Sequence, residues 1–207
     1  WQVPVAVVAG AAALTCGVLA MALPSTISAP GASFAGLGAL LRRAEVLWTL
    51  SLTLLYFVAI FCVFAYIGPV LQALLPMSTE RMSLTLMLFG LSGVAGTLVG
   101  GWANDHFGPR LTLTVQLAVL AAMMLLVPLT RGNHALIVLV FVVWGIAGFG
   151  MMSPQQSRLA ALAPAQAPIL LSLNTSMLYI GTALGAAIGG PAAAVVARRS
   201  PRSRRTD

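Results

Sequence analysis

The stretch Gly100-Gly101-Trp102-Ala103-Asn104-Asp105-His106-Phe107-Gly108-Pro109-Arg110 is where a long apolar run stops, turns through polar residues and resumes. Glycines at the end of the upstream run let two helix backbones approach closely, Gly108-Pro109 breaks the chain, and Arg110 opens the next helix. Asp105 and Arg110 bracket a connection of only a few residues. A turn of this kind suits two consecutive membrane spans, and the composition of the chain agrees. Of its 207 residues 59% are apolar and only 7% charged, whereas a soluble domain carries about a quarter charged residues. That balance excludes an ordinary soluble enzyme or binding module.

Outward from this turn, the charged residues leave long gaps. None falls in Trp1 to Leu41, Val46 to Thr79, Met82 to Asn104, Leu111 to Thr130, Ala135 to Ser157, or Leu159 to Ala197. Roughly 20 apolar residues cross a hydrocarbon core, so each gap holds one helix. The fold class expected is therefore an all-α, multi-pass integral membrane protein with about six spans. Residues 1–196 form a six-helix transmembrane bundle in this reading, and 197–207 form a basic tail expected to be disordered. A bilayer is the first partner implied.

The first span is about Val3 to Leu23, with Pro4 tolerated in its first turn. No basic segment precedes it, so it does not read as a signal peptide. The start at Trp1 rather than a methionine suggests that the true start lies upstream. Pro24 to Glu45 is a linker ending in the basic pair Arg42-Arg43. In the second span, about Val46 to Ile67, Thr49, Thr53 and Tyr56 share a stripe that either bonds to another helix or lines a cavity. Gly68-Pro69 then kinks or ends the helix. The third span, about Met82 to Ala103, carries Gly93, Gly96 and Gly100 on one packing face. The fourth, about Leu111 to Leu129, is polar only near its start.

The fifth span begins near Ala135. It includes Trp144, and Gly145, Gly148, Gly150 and Pro154 weaken an uninterrupted helix, either for packing or where neighbours or water re-satisfy the backbone. The sixth, about Ile169 to Val196, sets Asn174, Gly181 and Gly185 within a narrow arc with Gly189 slightly round the face, a strong helix-contact signal. Charge then tests topology. The loops with Arg42, Arg43, Arg110 and Arg158 lie on one side and those with Arg81 and Arg131 on the other, which makes the first side cytoplasmic. The tail arginines, from Arg198 to Arg205, fall on the opposite side and reverse that vote when counted.

The loop motif resembles that of the major facilitator superfamily of secondary transporters, which runs roughly G-x-L-x-D-R-x-G-R-R/K. Gly101, Asp105, Gly108 and Arg110 match, while Ala103, His106 and Pro109 depart. Pro154-Gln155-Gln156-Ser157-Arg158 through Ala163-Pro164, with Ser172 to Ser176 and Gly181-Thr182-Ala183-Leu184-Gly185, resembles the tenth and eleventh helices of drug- and sugar-efflux members. The opening span resembles the sixth. The resemblance thus covers helices six to eleven and implies a C-terminal part of a proton antiporter in the cell inner membrane, apparently truncated, whose N-terminal half is its partner. It also implies alternating access around a small-molecule site, with Gly101, Asp105, Gly108 and Arg110 gating the change.

Tyr56, Tyr66, Trp144 and Met151 are the substrate-facing candidates, because aromatic rings and methionine present adaptable apolar surface. No ionisable side chain lies at membrane depth to couple a proton gradient, so the resemblance puts the coupling acid in the absent half. Other functions are weaker. Gly90-Leu91-Ser92-Gly93 matches the G-x-S-G of rhomboid intramembrane proteases, yet His106 and His134 both lie in loops, out of reach of a serine at membrane depth. Cys16 and Cys62 sit in different spans, so no metal, disulfide or cofactor is expected. The basic tail suits lipid headgroups rather than nucleic acid. A six-helix scaffold or regulatory protein without transport activity stands as the alternative.

Overall fold

The computed structural model describes residues 2–22 and 37–198. The Ser/Pro/Gly-rich part of the linker and the tail beyond Arg198 lie outside the described residues. Nine α-helices occur among the described residues, and no strand: α1 Gln2–Ala22, α2 Leu37–Leu40, α3 Ala44–Phe64, α4 Ile67–Leu74, α5 Thr79–Phe107, α6 Pro109–Leu126, α7 His134–Gly150, α8 Met152–Leu162 and α9 Ala167–Arg198. Six stretches among the described residues are long and apolar enough to cross a membrane, α7 and α8 together making one of them. The protein is an all-α integral membrane protein. Helix α1 forms one unit and α2 to α9 another. Within α1 the one hydroxyl in mid-span, Thr15, donates to the carbonyl of Ala11 at 2.8 Å, which satisfies it inside its own helix.

In the second unit two helix pairs make the framework, α3 with α9 and α5 with α7. A Cβ added at Gly181 would stand 2.6 Å from the carbonyl oxygen of Leu54, and one at Gly185 2.5 Å from that of Val58, while Gly189 meets the backbone of Cys62. The four-residue step on α9 therefore matches a four-residue step on α3, and the two helices run parallel in backbone contact over three turns. Lipid tails are as apolar as leucine, so close van der Waals approach rather than hydrophobic exclusion holds such a pair. Gly96 and Gly100 on α5 meet the backbone of Ile146 and Gly150 on α7 in the same way, whereas Gly93 faces the ring of Phe149.

Three boundaries differ from the sequence reading. Helix α5 continues through Asn104, Asp105 and His106 to Phe107, so most of the supposed loop is its last turn. The reversal is made by Gly108, at φ 78° and ψ 161°, a backbone shape that disfavours any side chain, and Pro109 starts α6 at once. Asp105 thus sits in the last turn of α5 rather than in a loop. The second break comes before Gly68-Pro69, not at them. Tyr66 leaves the helical region at φ −120° and ψ 27°, and Pro69 lies in the first turn of α4, where its missing N–H costs nothing. In the fifth span the glycines stay helical and the chain turns at Met151, between α7 and α8.

Both ends of the second unit are tied. At one end Arg43 Nη1 donates to the carbonyl of Leu162 at 3.3 Å, and Asn104 Nδ2 donates to Ser157 Oγ at 3.1 Å. At the other, the N–H of Gly132 donates to the carbonyl of Leu74 at 3.2 Å, and Thr85 Oγ1 lies 3.2 Å from His134 Nε2. Arg43, Asp105 and Arg158 therefore share one end, and Arg81 and Arg131 the other, as the alternation of spans requires.

Candidate functional site

An aromatic cavity of about 330 Å³ lies between α3, α5 and α7, with Met152 of α8 and Leu178 of α9 completing its wall. Its walls include Tyr56, Phe57, Phe61, Phe89, Trp144 and Phe149. Three of the α3 residues, Phe57, Phe61 and Phe64, follow at three- and four-residue steps, so they form one face of the helix. Trp144 is 1% exposed and is held between Phe89, at a ring separation of 5.3 Å, and Phe141, at 5.1 Å. Such offset and edge-to-face contacts are the favourable aromatic geometries. Tyr56 reaches the wall with its hydroxyl tied to the carbonyl of Gly148. The same carbonyl, near the end of α7, also accepts from the Met151 N–H at 3.4 Å.

Of the four substrate-facing candidates, Tyr56 and Trp144 line this cavity and Tyr66 and Met151 do not. Tyr66 donates instead to the carbonyl of Ala186 at 2.8 Å, fastening the end of α3 to α9. Met151 is fully buried, and its neighbour Met152 takes the place at the wall, since successive residues on a helix point about a third of a turn apart.

One helical turn from the lining residues Phe57, Met152 and Leu178, and outside the cavity itself, a buried polar cluster joins α3, α8 and α9. Gln155 Nε2 donates to the carbonyl of Thr49 at 2.5 Å and to Thr53 Oγ1 at 2.8 Å. Thr53 Oγ1 passes its own proton to Asn174 Oδ1 at 2.6 Å. All three side chains are 1% exposed or less. Asn174, expected only to pack among glycines, is thus a hydrogen-bond acceptor for α3, and Gln155 joins the same cluster, unanticipated, through Thr53. The polar character of Gln155 inside an apolar span was the available signal, but nothing in the sequence joins positions 102 and 106 residues apart.

The motif residues lie at the Arg43 end. Gly101 leaves room for a side chain, with Ser153 Oγ 4.0 Å from where a Cβ would sit. Asp105 and Arg110 are exposed, and the Asp105 carboxylate accepts from Asn104 Nδ2 at 3.2 Å. His106, standing where arginine is usual in the resembling motif, stacks on Trp102 at 4.7 Å between ring centres, and its Nδ1 lies 2.9 Å from the Trp102 carbonyl oxygen.

The chain is 34% identical over 152 residues to the inner membrane transport protein YdhP of Escherichia coli (strain K12). It is 27% identical over 152 residues to the uncharacterized MFS-type transporter YbcL of Bacillus subtilis (strain 168). Each match takes in 73% of this chain and 39% of the relative, so the aligned part spans about two fifths of the length of these curated proteins. Both relatives are transport proteins rather than enzymes. The family model of the Major Facilitator Superfamily matches residues 1–205, and with six apolar helices of spanning length the chain belongs to that superfamily.

Proposed function

We propose that this protein forms part of a secondary active efflux transporter of the inner membrane, moving an apolar, drug-like small molecule by alternating access. The observation that carries the reading is the cavity of about 330 Å³ walled by Tyr56, Trp144 and their phenylalanine neighbours. Its size falls in the range of small-molecule sites, roughly 300–1,000 Å³, and the aromatic walls favour a lipophilic body over a sugar. The helices of this chain supply one wall of an access pathway, and the N-terminal half of the transporter supplies the other. Gly101, Asp105, Gly108 and Arg110 gate the change of conformation at the cytoplasmic end, where Asn104 links α5 to α8.

A variant that keeps Trp144 as its only tryptophan tests the cavity. Its emission should be quenched saturably by a lipophilic nitroxide, whereas quenching that rises linearly with membrane-dissolved probe would contradict a site there. Transport is a separate expectation. Reconstituted alone under an imposed proton gradient, the chain should move no lipophilic cation or sugar beyond what empty liposomes allow. Saturable flux abolished by changing Tyr56 or Trp144 would show that it transports unaided. The orientation is equally exposed to measurement. In a background without Cys16 and Cys62, a cysteine replacing His106 should be labelled only from the cytoplasm, and labelling from outside would invert the topology.

A further inference from the structure

We propose that a groove at the end of the bundle marked by Arg81 and Arg131 holds one anionic phospholipid, its phosphate on Arg131 and an acyl chain between α4 and the 3₁₀ turn Val127–Thr130 that follows α6. The groove measures about 240 Å³ and shares no residue with the aromatic cavity. Val70, Ala73 and Leu74 line one side, and Val127 and Pro128 the other. The three α4 residues recur at three- and four-residue steps, so they share one face of that helix. Leu71 is fully buried in the core cluster with Ile137 and Phe141, which seats α4 on the bundle. The last residue of α4 is tied too, since the carbonyl of Leu74 accepts from the N–H of Gly132. That bond joins the two sides of the groove beside Arg131.

Every lining residue but Arg131 is apolar, and an arginine is a permanent cation. Arg131 is exposed and is the first residue past the apolar stretch Pro109–Thr130 that crosses the membrane, so its guanidinium stands at the level of the headgroups. Val127 and Pro128 fall in the last turn of that stretch, on its hydrocarbon side. Apolar walls leading to a cation at headgroup depth follow the order in which a phospholipid presents its chain and its phosphate. A small soluble anion would have no use for the walls, and a zwitterionic lipid brings its own cation to the same place. The planar guanidinium donates to phosphate oxygens in a fork. One such residue at a membrane surface is worth roughly a fivefold preference for an anionic lipid.

The test is native mass spectrometry of the full-length protein from micelles supplied equally with phosphatidylglycerol and phosphatidylcholine of identical chains. The protein should retain one phosphatidylglycerol at roughly five times the occupancy of phosphatidylcholine, and Arg131→Gln should bring the ratio near one. Arg81→Gln removes the same charge from the same end, but Arg81 does not line the groove, so that variant should keep the preference. Glycerol phosphate in excess should not displace the lipid, because it lacks the chain. Ala73→Phe narrows the groove and should cut the occupancy with Arg131 still in place. A ratio near one in the unaltered protein, a preference that survives Arg131→Gln, or an equal fall in both arginine variants would overturn the proposal, the last by showing that surface charge alone recruits the lipid. Displacement by glycerol phosphate, or full occupancy in folded Ala73→Phe, would overturn it by removing the chain from the groove. Arg81 and Arg131 are both exposed, so their comparison decides the matter even if Ala73→Phe does not fold.

Discussion

Replacing Gly185 with leucine should reduce the yield of monodisperse, folded protein in detergent at least severalfold and lower its melting temperature. The new Cβ alone would sit 2.5 Å from the carbonyl oxygen of Val58 and 2.9 Å from the Cβ of Phe61. The first of these is backbone, which no rotamer change can move aside. Relief requires α9 to withdraw from α3 along three turns, and the withdrawal strips the contacts of Gly181 and Gly189 as well. Overpacking of an interior commonly costs about 1–3 kcal/mol, and forcing apart two helix backbones belongs at or above the top of that range. Gly90→Leu is the matched control, since nothing lies within 4 Å of a Cβ placed there. Equal losses in the two variants would point to a general effect of leucine in place of glycine, and an unchanged Gly185→Leu protein would count against the close approach.

The second large effect is expected from Trp144→Ala. Trp144 touches both Phe89 and Phe141 and is almost wholly buried. Removing an indole from such a position leaves a void that its neighbours fill only in part, at a cost of roughly 3–5 kcal/mol. Trp144→Phe keeps most of the volume and the edge-to-face geometry, so it should fold with a much smaller shift in melting temperature. Binding separates the roles further. Displacement of a bound lipophilic probe should weaken at least tenfold in Trp144→Ala and change little in Trp144→Phe. A pair of variants with equal stability and equal affinity would mean that the ring neither supports the aromatic cluster nor shapes the cavity.

Several features were legible in the residues because each depends on its own segment of chain. A helix that crosses a bilayer must satisfy its backbone internally and be apolar along its length, so the uncharged gaps announce the spans. The four-residue glycine spacing at Gly181, Gly185 and Gly189 announces a contact face, because a helix turn is nearly that long. The family motif is local too. Helix ends were less legible: Asn104, Asp105 and His106 are polar enough to suggest a loop, yet the polar residues follow a helix out of the hydrocarbon, and only Gly108 has the backbone freedom to end it.

What partners each face depended on the tertiary structure. The glycine face of α9 meets Leu54, Val58 and Cys62 rather than any other helix, and the threonine stripe of α3 meets Gln155 and Asn174. Both belong to pairings more than a hundred residues apart in sequence, set by how the helices of the second unit pack. In lipid every apolar surface is equally soluble, so the hydrophobic pattern that orients a soluble helix says little about which side faces inward. Close backbone approach and the need to pair each buried polar group decide it instead. For that reason Tyr66 and Met151, chosen by residue type, lie off the cavity, while Phe57, Phe61, Phe89 and Phe149, indistinguishable in sequence from lipid-facing phenylalanines, build its walls.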